Sequence, residues 1–400
     1  MIERLRRREG EGSRIRVGIN GAGAMGLGIA AAVRRTPGMA LCWAADLLPE
    51  RAERAAGVGA AGHWGADALA LLDSHPVDVL VEASTAIVAA TEVALGAVEC
   101  GAHVVWMNAE ADLLFGRLVD AAAQSAGLIA TSDAGDQHGV LARLLDEIEL
   151  WGWRIVQAGN IKGFLDRHAT PSGLAQEAAK RRLDPGSCCA YTDGTKLAIE
   201  MALIGDARGL RAPPGGMRGP AAGNVKDALR LFDLDAALAR PQVDYLLGAE
   251  PGGGVYAIGH MDDPDERFLL DYYKLGPGPY YLHYRPCHLC HVETPLAIAS
   301  AALNGRAVLR RGAPLNQVVA VAKRDLPAGH RLVHAIGSAD VRGELLCAED
   351  AVDALPIGCI HDEPGGVLRR PVRRGEVIRR DNPTLLSEGL LALLARQAGA

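Results

Sequence analysis

Aromatic side chains are scarce: four Phe, five Trp and eight Tyr in 400 residues, so aliphatic side chains must fill most of any core. The eight cysteines show no framework spacing, which excludes a disulfide-stapled scaffold and reads as reduced thiols. No apolar run approaches the ~20 residues that cross a bilayer. The basic opening MIERLRRREGEGSR is followed by no apolar segment of the secretory kind. Positive charge is not in excess either: the formal net charge is −6. The basic runs Arg6–Arg8 and Arg369–Arg374 are not interleaved with stacking aromatics, so nothing resembles a nucleic-acid footprint. These absences predict a cytoplasmic protein with no membrane or nucleic-acid partner. Its natural partner is a small-molecule substrate, and a homo-oligomer is the expected assembly.

The remaining composition, 49% hydrophobic and 22% charged with 48 glycines, is that of an α/β globular chain long enough for two or three domains. From Arg14 to about Leu150, the short apolar runs IRVGIN, ALCWAAD, VDVLVEAS, HVVWMN and LIATSDA alternate with helical stretches. The stretches are Ala24–Arg35, Pro49–Ala56, Ala86–Cys100 and Leu113–Ala126. Strands separated by helices of this length predict a Rossmann-type, doubly wound parallel sheet over residues 1–150. Residues 151–314 read as an α+β substrate domain. It has a strand RIVQAGNIK, helices Ser172–Arg182 and Asp193–Gly205, Gly/Pro-rich loops, strands within Arg267–Tyr284, and a helix 292–303 expected to pack back on the first domain. Residues 315–400 read as a small β-rich module punctuated by turns, with an amphipathic tail helix Leu385–Arg396.

Chemistry enters at Gly21-Ala22-Gly23-Ala24-Met25-Gly26, which follows the strand Ile15–Asn20 and opens a helix. In that context Gly21 permits a tight turn, Gly23 lets backbone approach a diphosphate, and Gly26 lets helix and strand pack closely. The helix start, Ala24 and Met25 included, offers free N–H groups and a positive dipole end to the phosphates. Asp46, 20 residues after Gly26, ends the second strand run, where a carboxylate accepts hydrogen bonds from the ribose and repels a 2′-phosphate. The cofactor expected is therefore NAD, with Arg51 as the one feature that could admit NADP. Ser84, Thr85 and Asn108 stand at strand carboxyl ends, where they line the ligand crevice or cap loops.

Hydride exchange with a carbinol needs a group that moves the hydroxyl proton and a cation that polarises the oxygen. Lys162, two residues after Asn160 in Gly159-Asn160-Ile161-Lys162, and Lys196, in Thr192-Asp193-Gly194-Thr195-Lys196, are the candidates. Asp193, Lys196 and Glu200 are spaced to share a helix face, which could orient the lysine or make a solvated salt-bridge pattern. The acids of the loop Asp133–Gly139 could bind a substrate hydroxyl or a metal, or Asp136 could serve as a helix N-cap. The run Cys287-His288-Leu289-Cys290-His291-Val292-Glu293 lacks the second ligand pair that structural zinc requires, so no metal is expected. Its His288, His291 and Glu293 could still line a substrate site.

With these segments assembled, the chain resembles a homoserine-dehydrogenase-like family of oxidoreductases with a C-terminal SAF (antifreeze-like) domain. The family includes DXR-like enzymes that stand in for 1-deoxy-D-xylulose 5-phosphate reductoisomerase. The matching segments are GINGAGAMG, MNAEAD, the DAGDQHG loop, AGNIKG, YTDGTKLAIEMA, YYKLGPGPYYLHYRPCHLCHVETPLAIA and VVAVAKRDLPAGHRL. The resemblance implies an NAD(P)-dependent oxidoreductase and favours Lys162, Lys196, His288, His291 and Glu293 as site residues. Three segments depart from the family pattern: Gln137-His138 after Asp136, Gly163-Phe164-Leu165 after Lys162, and the cysteines Cys287 and Cys290. The expected activity is hydride transfer to or from a small polar hydroxy or keto substrate, with rearrangement or epimerisation a variant. A DXR-like reductoisomerase proper, a homoserine dehydrogenase and a non-catalytic nucleotide sensor are the alternatives.

Overall fold

The computed structural model describes residues 1–57 and 62–399. Six parallel strands form the first sheet: β1 (Ile15–Asn20), β2 (Met39–Ala45), β3 (His63–Gly65), β4 (Val79–Glu82), β5 (His103–Trp106) and β6 (Ala130–Ser132). Their order, β3-β2-β1-β4-β5-β6, reverses direction between β1 and β4, which is the Rossmann arrangement and the switch point where ligands bind. The helices in this part are α1 (Ile2–Gly10), α2 (Ala24–Arg35), α3 (Pro49–Ala56), α4 (Ala68–Ser74), α5 (Val88–Glu99), α6 (Ala109–Ser125) and α7 (Gln137–Leu150).

Both faces of the sheet are covered, and the strands sort their side chains accordingly. Val79, Val81 and Val105 join Ile15, Val17 and Ile19 in one core with Ile29 and Val33 of α2. Leu80, Val104 and Trp106 point the other way, into a core with Leu95 of α5 and Phe115 of α6. The few aromatics are placed where volume matters most: Trp43, Trp106, Tyr256, Tyr281 and Phe115 are among the largest fully buried side chains.

A second, mixed sheet follows, in the order β10-β9-β7-β8, from β7 (Arg154–Lys162), β8 (Gln242–Leu247), β9 (Val255–His260) and β10 (Tyr280–Arg285). Its helices are α8 (Ala175–Arg181), α9 (Pro185–Thr192), α10 (Thr195–Arg208), α11 (Ala228–Leu231), α12 (Leu234–Ala239), α13 (Pro264–Tyr272) and α14 (Cys290–Asn304). Helices α7 and α10 pack on one face of this sheet, while α14 reaches back to pack along α2. The C-terminal part is β-rich. The pair β11 (Asn316–Ala322) and β13 (Val341–Cys347) is antiparallel, as is the small sheet of β12 (Arg331–Leu332), β14 (Gly366–Leu368) and β15 (Pro383–Leu385). Helix α15 (Glu388–Ala398) closes the described chain. No helix among the described residues is long and apolar enough to cross a membrane.

Several local expectations need correction. The basic opening, to which the sequence assigned no element, forms α1, pinned by buried Leu5 and by Arg4, which donates to Asn304 Oδ1 (2.7 Å) and to the Leu303 carbonyl (2.6 Å). The segment Arg267–Tyr284 holds one strand only, because Asp263 and Pro264 start a helix before it: the Asp263 carboxylate accepts from the Asp265 and Glu266 amides. Helix α6 begins four residues earlier than its apolar pattern suggests because Asn108 caps it.

The C-terminal part is clasped to the middle layer by a buried ion pair. Lys323, just after β11, is 2% exposed and donates to Asp193 (2.7 Å), the Ala169 carbonyl (2.8 Å) and the Ser338 carbonyl (2.7 Å). Removing one partner of such a pair leaves the other charge buried and unmatched. Lys323→Ala is expected to cost about 3–5 kcal/mol in urea unfolding. Asp193→Ala with Lys323→Ala should cost less than the two single losses added, a double-mutant cycle that checks the pairing directly.

Candidate active site

The glycine turn has the geometry of a diphosphate cradle. Gly21 lies at φ +92, and a Cβ there would collide with the backbone of Ala83 and Ser84. A Cβ on Gly26 would strike the Gly21 carbonyl, so the first turn of α2 can sit against the strand only with glycine at both positions. Gly23, the N-cap of α2, faces open space: a Cβ added there would meet nothing within 4 Å, so the helix N-terminus is accessible. Asp46 ties the end of β2 to this turn: Oδ2 accepts from the Ala22 amide (2.8 Å) and Oδ1 from the Leu48 amide (2.9 Å). An open glycine turn, a free helix start and an adjoining acid fit a bound dinucleotide. Arg51 is exposed on α3.

Next to the turn, the β4 carboxyl end presents Glu82, which is fully buried. Its carboxylate accepts from Asn20 Nδ2 (2.6 Å) and from the Ser84 amide (2.9 Å), so it fixes the loop that carries Ser84 and Thr85. Burial pushes its pKa up to about 7. Of the two roles open to Asn108, capping is the one it fills: its Oδ1 accepts from the Ala111 amide and its Nδ2 donates to the Ala86 carbonyl.

Behind this crevice the second layer brings charged groups together. Lys196, at the start of α10, is ion-paired with Glu110 in the first turn of α6. Burial works against the Lys196 cation, but Glu110, Tyr191 and Asp136 together outweigh it, so the lysine pKa is raised, while Lys196 holds that of Glu110 down against burial. Lys162 at the end of β7 donates to the Tyr191 carbonyl (2.7 Å), and burial lowers its pKa against the pull of Glu200 and Asp193. Asn160 links the set by donating to Glu200 Oε2 (3.0 Å) and to Gln137 Oε1. Burial raises the pKa of Glu200 and pushes that of Asp136 to about 6. His288 Nδ1 lies 2.7 Å from the Gly253 carbonyl, which fixes the proton on Nδ1 and leaves Nε2 as an acceptor.

Not every residue expected here takes part. Asp193 does not orient Lys196, because its carboxylate is occupied by Lys323 and the Thr195 amide (2.9 Å). Asp136 occupies the N-cap position of α7 without making a cap bond; Asp133 instead accepts from the Gly135 (2.6 Å) and Asp136 (3.1 Å) amides. Glu293 is held by Arg143 (3.3 Å) and Arg285. The His291 ring packs against Gly28 of α2, where a Cβ would collide with it. The spacing of Asp193, Lys196 and Glu200 missed Glu110, whose position in MNAEAD, one turn after a strand end, was the available signal. Among the described residues no three His, Cys, Asp or Glu side chains gather to hold a metal ion.

Residues 21–130 match the model of the homoserine dehydrogenase NAD-binding domain, and residues 135–294 match that of the catalytic domain of oxidoreductase DRL. The chain thus carries an NAD-binding domain of the homoserine dehydrogenase kind and an oxidoreductase catalytic domain: it is an NAD(P)-dependent oxidoreductase. Solved structures similar to this oxidoreductase include a homoserine dehydrogenase from Thiobacillus denitrificans (17% identity, TM-score 0.46, covering 79% of this chain and 83% of that one). Others are the dipicolinate-bound dihydrodipicolinate reductase from Paenisporosarcina sp. TG-14 (13%, 0.39, 72% and 95%) and a scyllo-inositol dehydrogenase from Lactobacillus casei solved with NAD(H) and scyllo-inositol (16%, 0.34, 62% and 67%). No curated protein matches the sequence at a significant level. The match of residues 21–130 to an NAD-binding domain gives NAD as the cofactor of the oxidoreductase.

The folded state keeps a proton on Glu82 up to about pH 7, whereas the unfolded chain releases it near 4.5. The Glu82 contribution to stability is therefore fully present below pH 4.5 and is lost as pH rises through this window, by about 3 kcal/mol in total. Glu82→Gln should flatten that fall. Urea unfolding at pH 5 and pH 8 measures it, with the variant gaining on the parent only at the higher pH.

Proposed function

We propose that this oxidoreductase interconverts a hydroxyl and a carbonyl on a small polar substrate (a hydroxy acid, polyol or sugar phosphate) bound among Asp136, Asn160, Lys162, Lys196, Glu200 and His288. The observation that carries this reading is the opposite treatment of two lysines in one cluster. When titratable neighbours are pushed apart in this way, their acid and base roles separate. Bound in the glycine crevice, the nicotinamide supplies the two-electron hydride chemistry that no side chain of this chain offers.

The protein's own groups then divide the remaining work. Lys196, held cationic by Glu110, polarises the substrate oxygen and stabilises negative charge that develops on it. Lys162, which burial makes readier to give up its proton, takes the hydroxyl proton as a neutral amine when the alcohol is oxidised, and returns it from the ammonium when the carbonyl is reduced. Glu200 and Asn160 fix the register between β7 and α10, so that both lysines address one oxygen. Two basic side chains in one cluster also favour a substrate that carries an anionic group.

Turnover is tested by mixing the protein with NAD or NADH and panels of hydroxy acids, polyols and sugar phosphates; no turnover with any of them would refute the proposal. With a substrate in hand, Lys162→Met should lower kcat about 10²–10⁴-fold while leaving NADH affinity unchanged. Lys196→Met should lower kcat and raise KM together, since it polarises the oxygen of bound substrate and transition state alike. In the oxidative direction the rate should climb with pH and level off below the ordinary lysine value of 10.5, because the Lys162 pKa is lowered.

A further inference from the structure

The C-terminal part touches the nucleotide-binding sheet at one chemically specific place. Asp362 reaches across to the first turn of α5, where its carboxylate accepts from the Ile87 amide (2.8 and 3.1 Å) and the Val88 amide (2.6 Å). These orphan amides of a helix start are matched by a carboxylate supplied 275 residues away in the chain. The contact closes one side of a cleft of about 440 Å³. Thr85, Ala86 and Glu92 form one wall, and His334, His361 and Glu363 form the other. His334 holds a left-handed backbone at φ +50, uncommon for a residue with a side chain, and its amide donates to the His361 carbonyl (2.8 Å). His361 Nδ1 accepts from the Ile336 amide (3.3 Å), which leaves Nε2–H as a donor.

The position of this cleft in the crevice is fixed by the sheet. Asp46 ends β2, on the adenosine side of the reversal between β1 and β4, so the other half of the dinucleotide runs past Ser84 and Thr85 toward β5. Gly21 abuts the Ser84 backbone, so the phosphate turn and the Thr85 wall are continuous. Glu110, whose charge acts on the His361 ring, and Lys196 stand on that same side.

We propose that the C-terminal part completes the cofactor site: docked on α5 by Asp362, it presents His361 as a hydrogen-bond donor to the nicotinamide carboxamide. The proposal rests on the dinucleotide reading of the glycine turn. A donor fixed by backbone on its far nitrogen suits an amide oxygen, and the strained His334 loop holds that donor in place. Asp362 is a positioning residue, acting through the cleft wall it anchors.

The test uses the full-length protein, titrated by calorimetry with NADH and with ADP-ribose, which keeps the adenosine diphosphate half but lacks the nicotinamide. His361→Ala should weaken NADH about tenfold, the worth of one hydrogen bond in a buried site, and leave ADP-ribose unchanged. Asp362→Asn should show the same selectivity, and if that variant does not fold, His361→Ala decides alone. NADH binding unchanged in His361→Ala overturns the proposal, as does an equal loss for both ligands, which marks a merely structural wall. Failure of the unaltered protein to bind either ligand overturns the reading of the glycine turn itself.

Discussion

A lysine and a glutamate buried face to face hold the two working halves of this molecule in register. Glu110 belongs to the layer that carries the dinucleotide crevice, and Lys196 to the layer that carries the second sheet. Taking both charges out of water is costly, and their attraction offsets that cost only while they stay together. Separation of the layers would therefore strand a carboxylate and an ammonium in a low-dielectric interior. The pair does two things at once: it sets the spacing between the crevice and the Lys162–Glu200 cluster, and it keeps Lys196 charged at the place where the proposed reaction puts a developing oxyanion.

Around that pair, polar groups are tied into a chain rather than left as independent contacts. Gln137 holds Asn160, Asn160 holds Glu200, and Lys162 is fixed on the Tyr191 carbonyl. Each link comes from a different element: the start of α7, β7, α10 and the end of α9. Pre-organisation of this kind lowers the reorganisation needed when a substrate oxygen arrives. The neighbouring Lys323–Asp193 clasp adds a third layer to the same ground plan, because Asp193 lies only three residues before Lys196.

What could be read in the sequence was whatever depends on near neighbours. The strand Ile15–Asn20, the helix Ala24–Arg35 and the glycine turn between them are each determined by local period and turn chemistry, and the structure places all three at those bounds. The strand Arg154–Lys162 was equally plain, since an apolar run in that setting has few other options. Partners across long separations were not legible. Nothing near Asp193 announces that its counter-ion sits 130 residues on, so helix-face spacing suggested Lys196 instead. Glu293 likewise looked free to meet a substrate until two arginines from other elements claimed it. The tyrosine-rich stretch misled for a different reason: aromatic content favours strands, yet Phe268 and Tyr272 lie 75% and 71% exposed on α13, where no core rewards that preference.

Helix α14 has a further consequence for how such a molecule can diversify. One end is moored by Glu293 between Arg143 of α7 and Arg285 of β10, and along its length it lies on α2, the helix that the glycine turn opens. A helix, not a loop, thus spans the gap between the proposed cofactor and substrate regions. Stretching or shrinking that gap would require adding or deleting helical turns, each of which rotates every side chain downstream. Adaptation to a larger or smaller reactant is channelled instead into the glycine- and proline-rich loops that border the lysines, where length can change without disturbing the strut.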